Sequence, residues 1–273
     1  MNKIRVFIDA GHGKHTAGKR CLKSIDPNET REWYLNQRIA SMVCERLEKE
    51  PNIETLRGDD TSGALDISLS TRTAKANTWG ANYLVSIHHN AGINGGTGGG
   101  VVVFVYNGER SKESDILQEN VYKSFVESVG KFGNRSEPMA EKNLHMVREA
   151  KCPSILIECG FMDSQTDTPM ILTEDFAAKA AEGISNGILN TIKEIKGAGE
   201  EEMKKEDIEK LIDERFAYLL NISGTGDNPS EWARESTEWA KDEGIFVGDE
   251  KGNFGWQKPP TREQIAVILK KIK

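Results

Sequence analysis

Cysteine is scarce in this chain of 273 residues: Cys21, Cys44, Cys152 and Cys159 lie far apart and form no C-x-x-C pair. Neither a disulfide framework nor a thiolate metal knuckle is suggested, and reduced thiols are expected. Prolines number 8, and no apolar run comes near the roughly 20 residues of a membrane span. Positive charge is in deficit, since 36 Lys and Arg stand against 43 Asp and Glu for a net −7. That balance argues against a phosphate-tracking groove, so neither nucleic acid nor membrane is expected as a partner. Ahead of Gly11-His12-Gly13 there is no charged n-region, apolar h-region or cleavage site, and no lipidation signature. With no signal peptide, the product is expected in the cytoplasm of the cell that makes it.

What the chain does contain is the alternation of an α/β protein. Hydrophobic residues at 37% and charged residues at 29% support an ordinary buried core. Residues 4–8 are β-branched and aromatic and stop at Asp9-Ala10-Gly11, which predicts a buried strand with His12 just past its end. A polar stretch over 13–28 follows. Thr30 is then expected to cap a helix whose apolar face carries Tyr34, Leu35, Ile39, Met42, Val43 and Leu47, with Glu32 in its first turn. A short strand over 53–57, a helix over 69–79 and a strand over 83–88 come next. Val101 to Tyr106 reads as a central strand buried on both faces, and a helix over 114–129 and a polar loop lead to another buried strand over 154–158. A helix over 176–195 covers the sheet. The expected fold is a mixed, mostly parallel sheet flanked by helices.

At 197–204 the composition shifts to Gly-Ala-Gly-Glu-Glu-Glu, which marks a linker between a main domain over 1–196 and a small, mainly helical domain over 205–273. Residues 197–273 hold 17 acidic and 12 basic side chains and so carry most of the negative charge.

In open α/β sheets ligands gather beyond the carboxyl ends of the strands, where His12, His88 and Glu158 fall on this reading. Two neutral imidazoles and one carboxylate make three zinc ligands and leave a fourth position for water, the pattern of a catalytic ion. A second carboxylate, Glu158, is then free to move protons in metal-assisted amide hydrolysis. Each residue also has a plainer role. A lone strand-end histidine is more often a hydrogen-bonding loop residue, and Glu32 also suits a helix N-terminus through the macrodipole. Glu158, directly after Ile-Leu-Ile, must be paired, hydrated in a cleft or neutral. His88 and His89 are adjacent in one strand and point to opposite faces, so only one of them faces a metal.

Phe7-Ile8-Asp9-Ala10-Gly11-His12-Gly13, Glu32-Trp33-Tyr34-Leu35-Asn36, Ser86-Ile87-His88-His89-Asn90 and Ile157-Glu158-Cys159-Gly160-Phe161-Met162 occur in an order that resembles the zinc-dependent N-acetylmuramoyl-L-alanine amidases of the type-3 family. Leu69-Ser70-Thr71-Arg72 with Ala76-Asn77 extends the resemblance, which covers about residues 3–195. It implies His12, Glu32 and His88 as zinc ligands, Glu158 as the catalytic carboxylate and peptidoglycan as substrate. His89 departs from the alanine common there and is the alternative ligand, while His15 and His145 match no ligand position and read as loop or surface groups. Loops 13–28 and 92–100 are expected to border the groove, and Arg72 to pair with a carboxylate that holds a loop. With no secretion signal, the resemblance points to a phage endolysin retained in the host cytoplasm until lysis. The alternatives are a bacterial autolysin, a wall-binding module without activity, and a peptidase or deacetylase using the same ligand types.

In the tail, Trp239 to Asp249, then Gly252-Asn253-Phe254 and Thr261-Arg262-Glu263-Gln264-Ile265-Ala266, resemble one S-layer homology repeat, which implies a secondary cell-wall polymer as partner. Trp232, Trp239, Phe246, Phe254 and Trp256 serve equally to fill a small core. So small a unit buries little apolar area, which suggests self-association. Gly199-Glu200-Glu201-Glu202-Met203 is encodable as a purine-rich ribosome-binding site before a start codon, so Met203 is a candidate start of a shorter product.

Overall fold

The computed structural model describes residues 3–130, 137–201 and 231–245 together with Lys251 and Lys270. The chain falls into two units, Met1–Ala198 and Gly199–Lys273. In the first, six strands form one sheet: β1 (Ile4–Ala10), β2 (Ile53–Arg57), β3 (Tyr83–Asn90), β4 (Val102–Val105), β5 (Met139–Glu141) and β6 (Ser154–Phe161), in the order β2-β1-β3-β6-β4-β5. Pairings β1 with β2, β1 with β3, β3 with β6 and β4 with β5 are parallel, and β4 runs antiparallel to β6. The mixed, mostly parallel sheet expected from the alternation is the one observed.

Strand alternation decides which helix covers which face. Val6, Ile8 and Ala10 point to one side, where they join Leu35, Ile39 and Val43 of α1 (Glu32–Leu47), Leu117, Val121 and Phe125 of α3 (Lys112–Val129), and Ile184 and Ile188 of α6 (Glu174–Glu201) in one buried cluster. Phe7 and Leu84 point the other way, onto Ala76 of α2 (Leu69–Trp79) and Met146 of α4 (His145–Arg148). Each buried Val, Leu, Ile, Phe or Met side chain among these contributes about 1.5–3 kcal/mol of transfer free energy. Gly183 and Gly187, one turn apart, let α6 lie against the α3 backbone at Phe125 and Val121, where a Cβ at either position would overlap main-chain atoms.

Several expectations need correction. The N-cap of α1 is Arg31 rather than Thr30, whose N–H instead donates to Asp26 Oδ2 at 2.7 Å in a turn that ends the preceding loop. Tyr34 is exposed on α1 under the Arg38 guanidinium, and Trp33 takes the buried place. β4 is not central but stands one place from the sheet edge, because the three-residue β5, within the stretch read as a polar loop, pairs beyond it. α6 runs through Gly197 and Gly199 to Glu201, since two glycines at about 1 kcal/mol each do not stop a helix among alanine and glutamates.

In the second unit a 3-10 turn (Glu231–Ala233) leads into a helix (Arg234–Asp242) that buries Ala240 and exposes Trp239. Met203, Phe246, Phe254, Trp256 and the Thr261-Arg262 pair lie outside the described residues, as does most of the expected wall-binding domain. Among the described residues no helix is long and apolar enough to cross a membrane.

The consequence for function lies in the order β1-β3-β6. Three adjacent parallel strands bring their carboxyl ends to one edge, and the start of α1 lies beside that edge.

Candidate metal centre

β1 hands the chain to Gly11, whose N–H donates to Ile87 O at 3.0 Å and keeps the two strand ends in step. A Cβ on Gly11 would collide with the His88 imidazole, so glycine is required for that ring to lie across the strand end. His12 follows with φ +67°, a left-handed conformation that costs a non-glycine residue roughly 1–2 kcal/mol. Arg72 holds it there. The guanidinium, 1% exposed, donates to Ala10 O at 2.6 Å, Ile67 O at 2.7 Å and His12 O at 3.3 Å, and pairs with Asp9 Oδ1 at 2.6 Å. Ser86 on β3 donates to the other Asp9 oxygen at 2.7 Å. Arg72 therefore pairs with a buried carboxylate on β1 as well as with Asp66 of the loop at 3.3 Å.

Glu32, the first residue of α1, is wholly buried between two imidazoles. Its Oε1 lies 3.1 Å from His88 Nδ1, and its Oε2 lies 3.4 Å from His12 Nε2. The two rings meet edge to face at a centroid distance of 5.1 Å. One ligand-type atom from each of His12, Glu32 and His88 lies within 4.8 Å of the others. Burial alone would raise the Glu32 carboxyl, but the neighbouring imidazoles outweigh it and hold the group well below the usual carboxylate range. For His88 burial opposes the proton, and Glu32, with Glu158 and Asp9 behind it, reverses the balance and raises the ring.

The donor set fits a divalent cation. His12 Nε2 and Glu32 Oε2 are both shielded from solvent and have no hydrogen-bond partner, although they face each other. Buried polar atoms without a hydrogen bond are costly unless a further group satisfies them, and two imidazoles with a carboxylate are a borderline-soft set suited to zinc and its neighbours.

Glu158 is in register with His88 across the β3–β6 pair. Its Oε2 also lacks a partner, and burial pushes the carboxyl up to about 7 even though His88 pulls it down. His89, the alternative ligand, is directed away from the cluster: its ring is 2% exposed and its Nδ1 lies 2.8 Å from Asn36 Oδ1. Burial pushes that imidazole down to about 3, so it is neutral. His15 is exposed on a turn, and His145 opens α4 with Nε2 3.2 Å from Thr73 Oγ1. All four cysteines are free, and burial pushes Cys21 and Cys152 up to about 12, leaving neutral thiols.

Two residues near the cluster were not anticipated. Lys19 Nζ stands 3.6 Å from Glu32 Oε2, and nothing in its polar loop marks it out. Asn36 Nδ2 donates to Glu32 Oε1 at 3.3 Å and to Gly11 O at 3.1 Å. The spacing of four residues from Glu32 on one helix was the available signal.

A cleft of about 350 Å³ opens beside His12 and His88, with Asp66, Ile67, Ser68 and Leu69 along its wall. The 13–28 loop is anchored to that wall by Thr16, whose hydroxyl donates to Asp66 at 2.6 Å, and by Lys14 N–H to Gly63 O at 2.9 Å. The 92–100 loop is fastened to the segment after β6: Asp163 accepts from the N–H groups of Gly92 and Asn94 at 2.8 and 2.7 Å, and Asp167 from Gly100 at 2.7 Å.

Residues 6–190 match the family model described as N-acetylmuramoyl-L-alanine amidase. The N-acetylmuramoyl-L-alanine amidase CwlM of Bacillus licheniformis is 32% identical over 189 residues, which span 68% of this chain and 67% of that protein. An endolysin of Bacillus phage SPP1 is 27% identical over 212 residues, 76% of this chain and 72% of the endolysin. Among solved structures, the N-acetylmuramoyl-L-alanine amidase of Clostridium difficile 630 superposes with a TM-score of 0.63 at 32% identity, covering 71% of this chain and 98% of that one.

Proposed function

This chain belongs to the N-acetylmuramoyl-L-alanine amidase family, and on that premise we propose that it uses zinc to hydrolyse peptidoglycan at the amide between the lactyl carbonyl of N-acetylmuramic acid and the amino group of L-alanine. The observation that carries this reading is the buried Glu32 between His12 and His88, with a second carboxylate, Glu158, in register beside them. In this reading His12, Glu32 and His88 hold the ion. Zinc, when bound, supplies a Lewis acid that polarises a carbonyl oxygen and makes a water more acidic.

The protein's own groups do the rest. Glu158 Oε2, with no competing hydrogen bond, accepts a proton from the attacking water as its oxygen bonds to the carbonyl carbon. The same carboxyl then returns that proton to the alanine nitrogen as the C–N bond breaks, leaving a lactyl carboxylic acid and a free amine, and the acid's proton passes to the amine to give a carboxylate and an ammonium group. A carboxyl that titrates near neutrality can do both, because neither protonation state is strongly favoured. Arg72 keeps the His12 segment in place, and the cleft beside His12 and His88, walled by Asp66, Ile67, Ser68 and Leu69, receives the glycopeptide.

The test is digestion of purified peptidoglycan by the zinc-loaded full chain. The expected products carry new alanine N-termini and no new reducing sugars. New reducing ends, or new amines on other residues, would overturn the assignment in favour of a glycosidase, a peptidase or a deacetylase.

The setting we propose is phage lysis, supported by the likeness to an SPP1 endolysin; a bacterial autolysin would use the same chemistry. Residues 1–196 then form the catalytic domain, 197–204 the linker and 205–273 a domain that binds a secondary cell-wall polymer, the last resting on the repeat-like motif around Trp239. Expression in a host with and without a membrane pore tests the setting, because a lysis enzyme clears the culture only when the pore is supplied.

A further inference from the structure

His89 and Asn36 form a hydrogen-bond chain whose polarity has one solution. Asn36 Nδ2 faces two acceptors, Glu32 Oε1 at 3.3 Å and Gly11 O at 3.1 Å, so this atom must be the amide nitrogen. Its Oδ1 is therefore an acceptor, and His89 Nδ1, 2.8 Å away, must carry the proton. The His89 backbone N–H also donates to Glu32 Oε1 at 3.3 Å. Oε1 is thus occupied by Asn36, by the His89 main chain and by the His88 ring at 3.1 Å, while Oε2 is left without a hydrogen bond and faces His12. Asn36 grips both the carboxylate and Gly11, the residue before His12. If its amide turned over, its one oxygen would confront two acceptors, Glu32 Oε1 and Gly11 O, and its NH2 would meet the proton on His89 Nδ1, so His89 adds the third and shortest contact that holds the amide in this sense.

We propose that His89 is a positioning residue which, by fixing the Asn36 amide, sets Glu32 and the His12 segment in the arrangement that receives the metal. The inference rests on the zinc reading above. Outer partners that orient metal ligands typically contribute about 10–100-fold to affinity, and here the orientation is built before the ion arrives, in a fully buried chain.

The test is zinc affinity of the full-length chain, measured by competition with a chromophoric chelator, for wild type, His89→Ala and His89→Gln. The expected result is affinity weakened about tenfold or more in His89→Ala and largely restored in His89→Gln, whose amide can again donate to Asn36. Wild-type affinity in His89→Ala, with only its thermal midpoint lowered, would show that the ring merely fills space and would overturn the proposal. A wild-type chain that binds no zinc would overturn the underlying reading as well. Should His89→Ala not fold, nitrogen NMR of the wild-type imidazole decides: a proton on Nδ1 supports the proposal, and a proton on Nε2 overturns it.

Discussion

Glu158 and His88 are register partners on parallel strands β6 and β3, so one carboxylate outside the candidate centre stands beside one imidazole that belongs to it. This juxtaposition separates two roles. Replacing Glu158 by Gln should leave zinc bound and reduce peptidoglycan cleavage by about 10²–10⁴-fold, the usual contribution of a general acid–base group. Metal content and amine release measured on the same sample check it. Cleavage at the parental rate would remove Glu158 from the chemistry.

The same residue sets a pH dependence. Burial raises the Glu158 carboxyl to about 7 in the metal-free protein, so it is neutral below that pH and ionised above it. A base must be ionised to accept a proton, and so activity should rise with pH. A divalent cation nearby favours the carboxylate, which places the rising limb of the zinc-loaded enzyme somewhat below 7. Carboxyl ¹³C shifts followed with and without zinc should show the midpoint moving down on loading. A midpoint that stays put would mean that the ion and Glu158 do not sense each other.

Arg72 and Asp9 are each 1% exposed and form a pair at 2.6 Å. Arg72→Met leaves a buried carboxylate without its cation and should cost about 3–5 kcal/mol of stability, read from denaturant unfolding of the metal-free chain. A loss under about 1 kcal/mol, within the range of exposed pairs, would show that water reaches Asp9.

Gly11→Ala is expected to displace the His88 ring, because the added methyl occupies its place. Zinc binding should fall sharply for a stability cost of about 1–3 kcal/mol, typical of overpacking. Gly197→Ala, in open space on α6, is the control and should bind zinc normally. Equal zinc affinity in the two variants would contradict the steric argument.

Much of this was legible in the sequence because it depends on local pattern. Runs such as Val6-Phe7-Ile8 and Ile155-Leu156-Ile157 announce strands buried on both faces, and ionisable residues at their ends stand out against them. What stayed hidden was set by neighbours distant in the chain. β5 exists as a strand because β4 offers it an edge, and its own Met-Ala-Glu carries no strand signal. The order β1-β3-β6, which unites the three strand ends, is likewise a tertiary result. Arg72 looked like a loop holder, yet its acceptors include carbonyls on both sides of Gly11. His89 looked like a spare ligand until strand alternation and Asn36 gave it a different task.

The most direct measurement is the zinc stoichiometry of the purified full-length chain beside His12→Ala, Glu32→Ala and His88→Ala, taken by elemental analysis after dialysis. One zinc per wild-type chain, lost in each of the three variants while their circular dichroism is retained, is the result this account predicts. Stoichiometric zinc persisting in any two of them would contradict it.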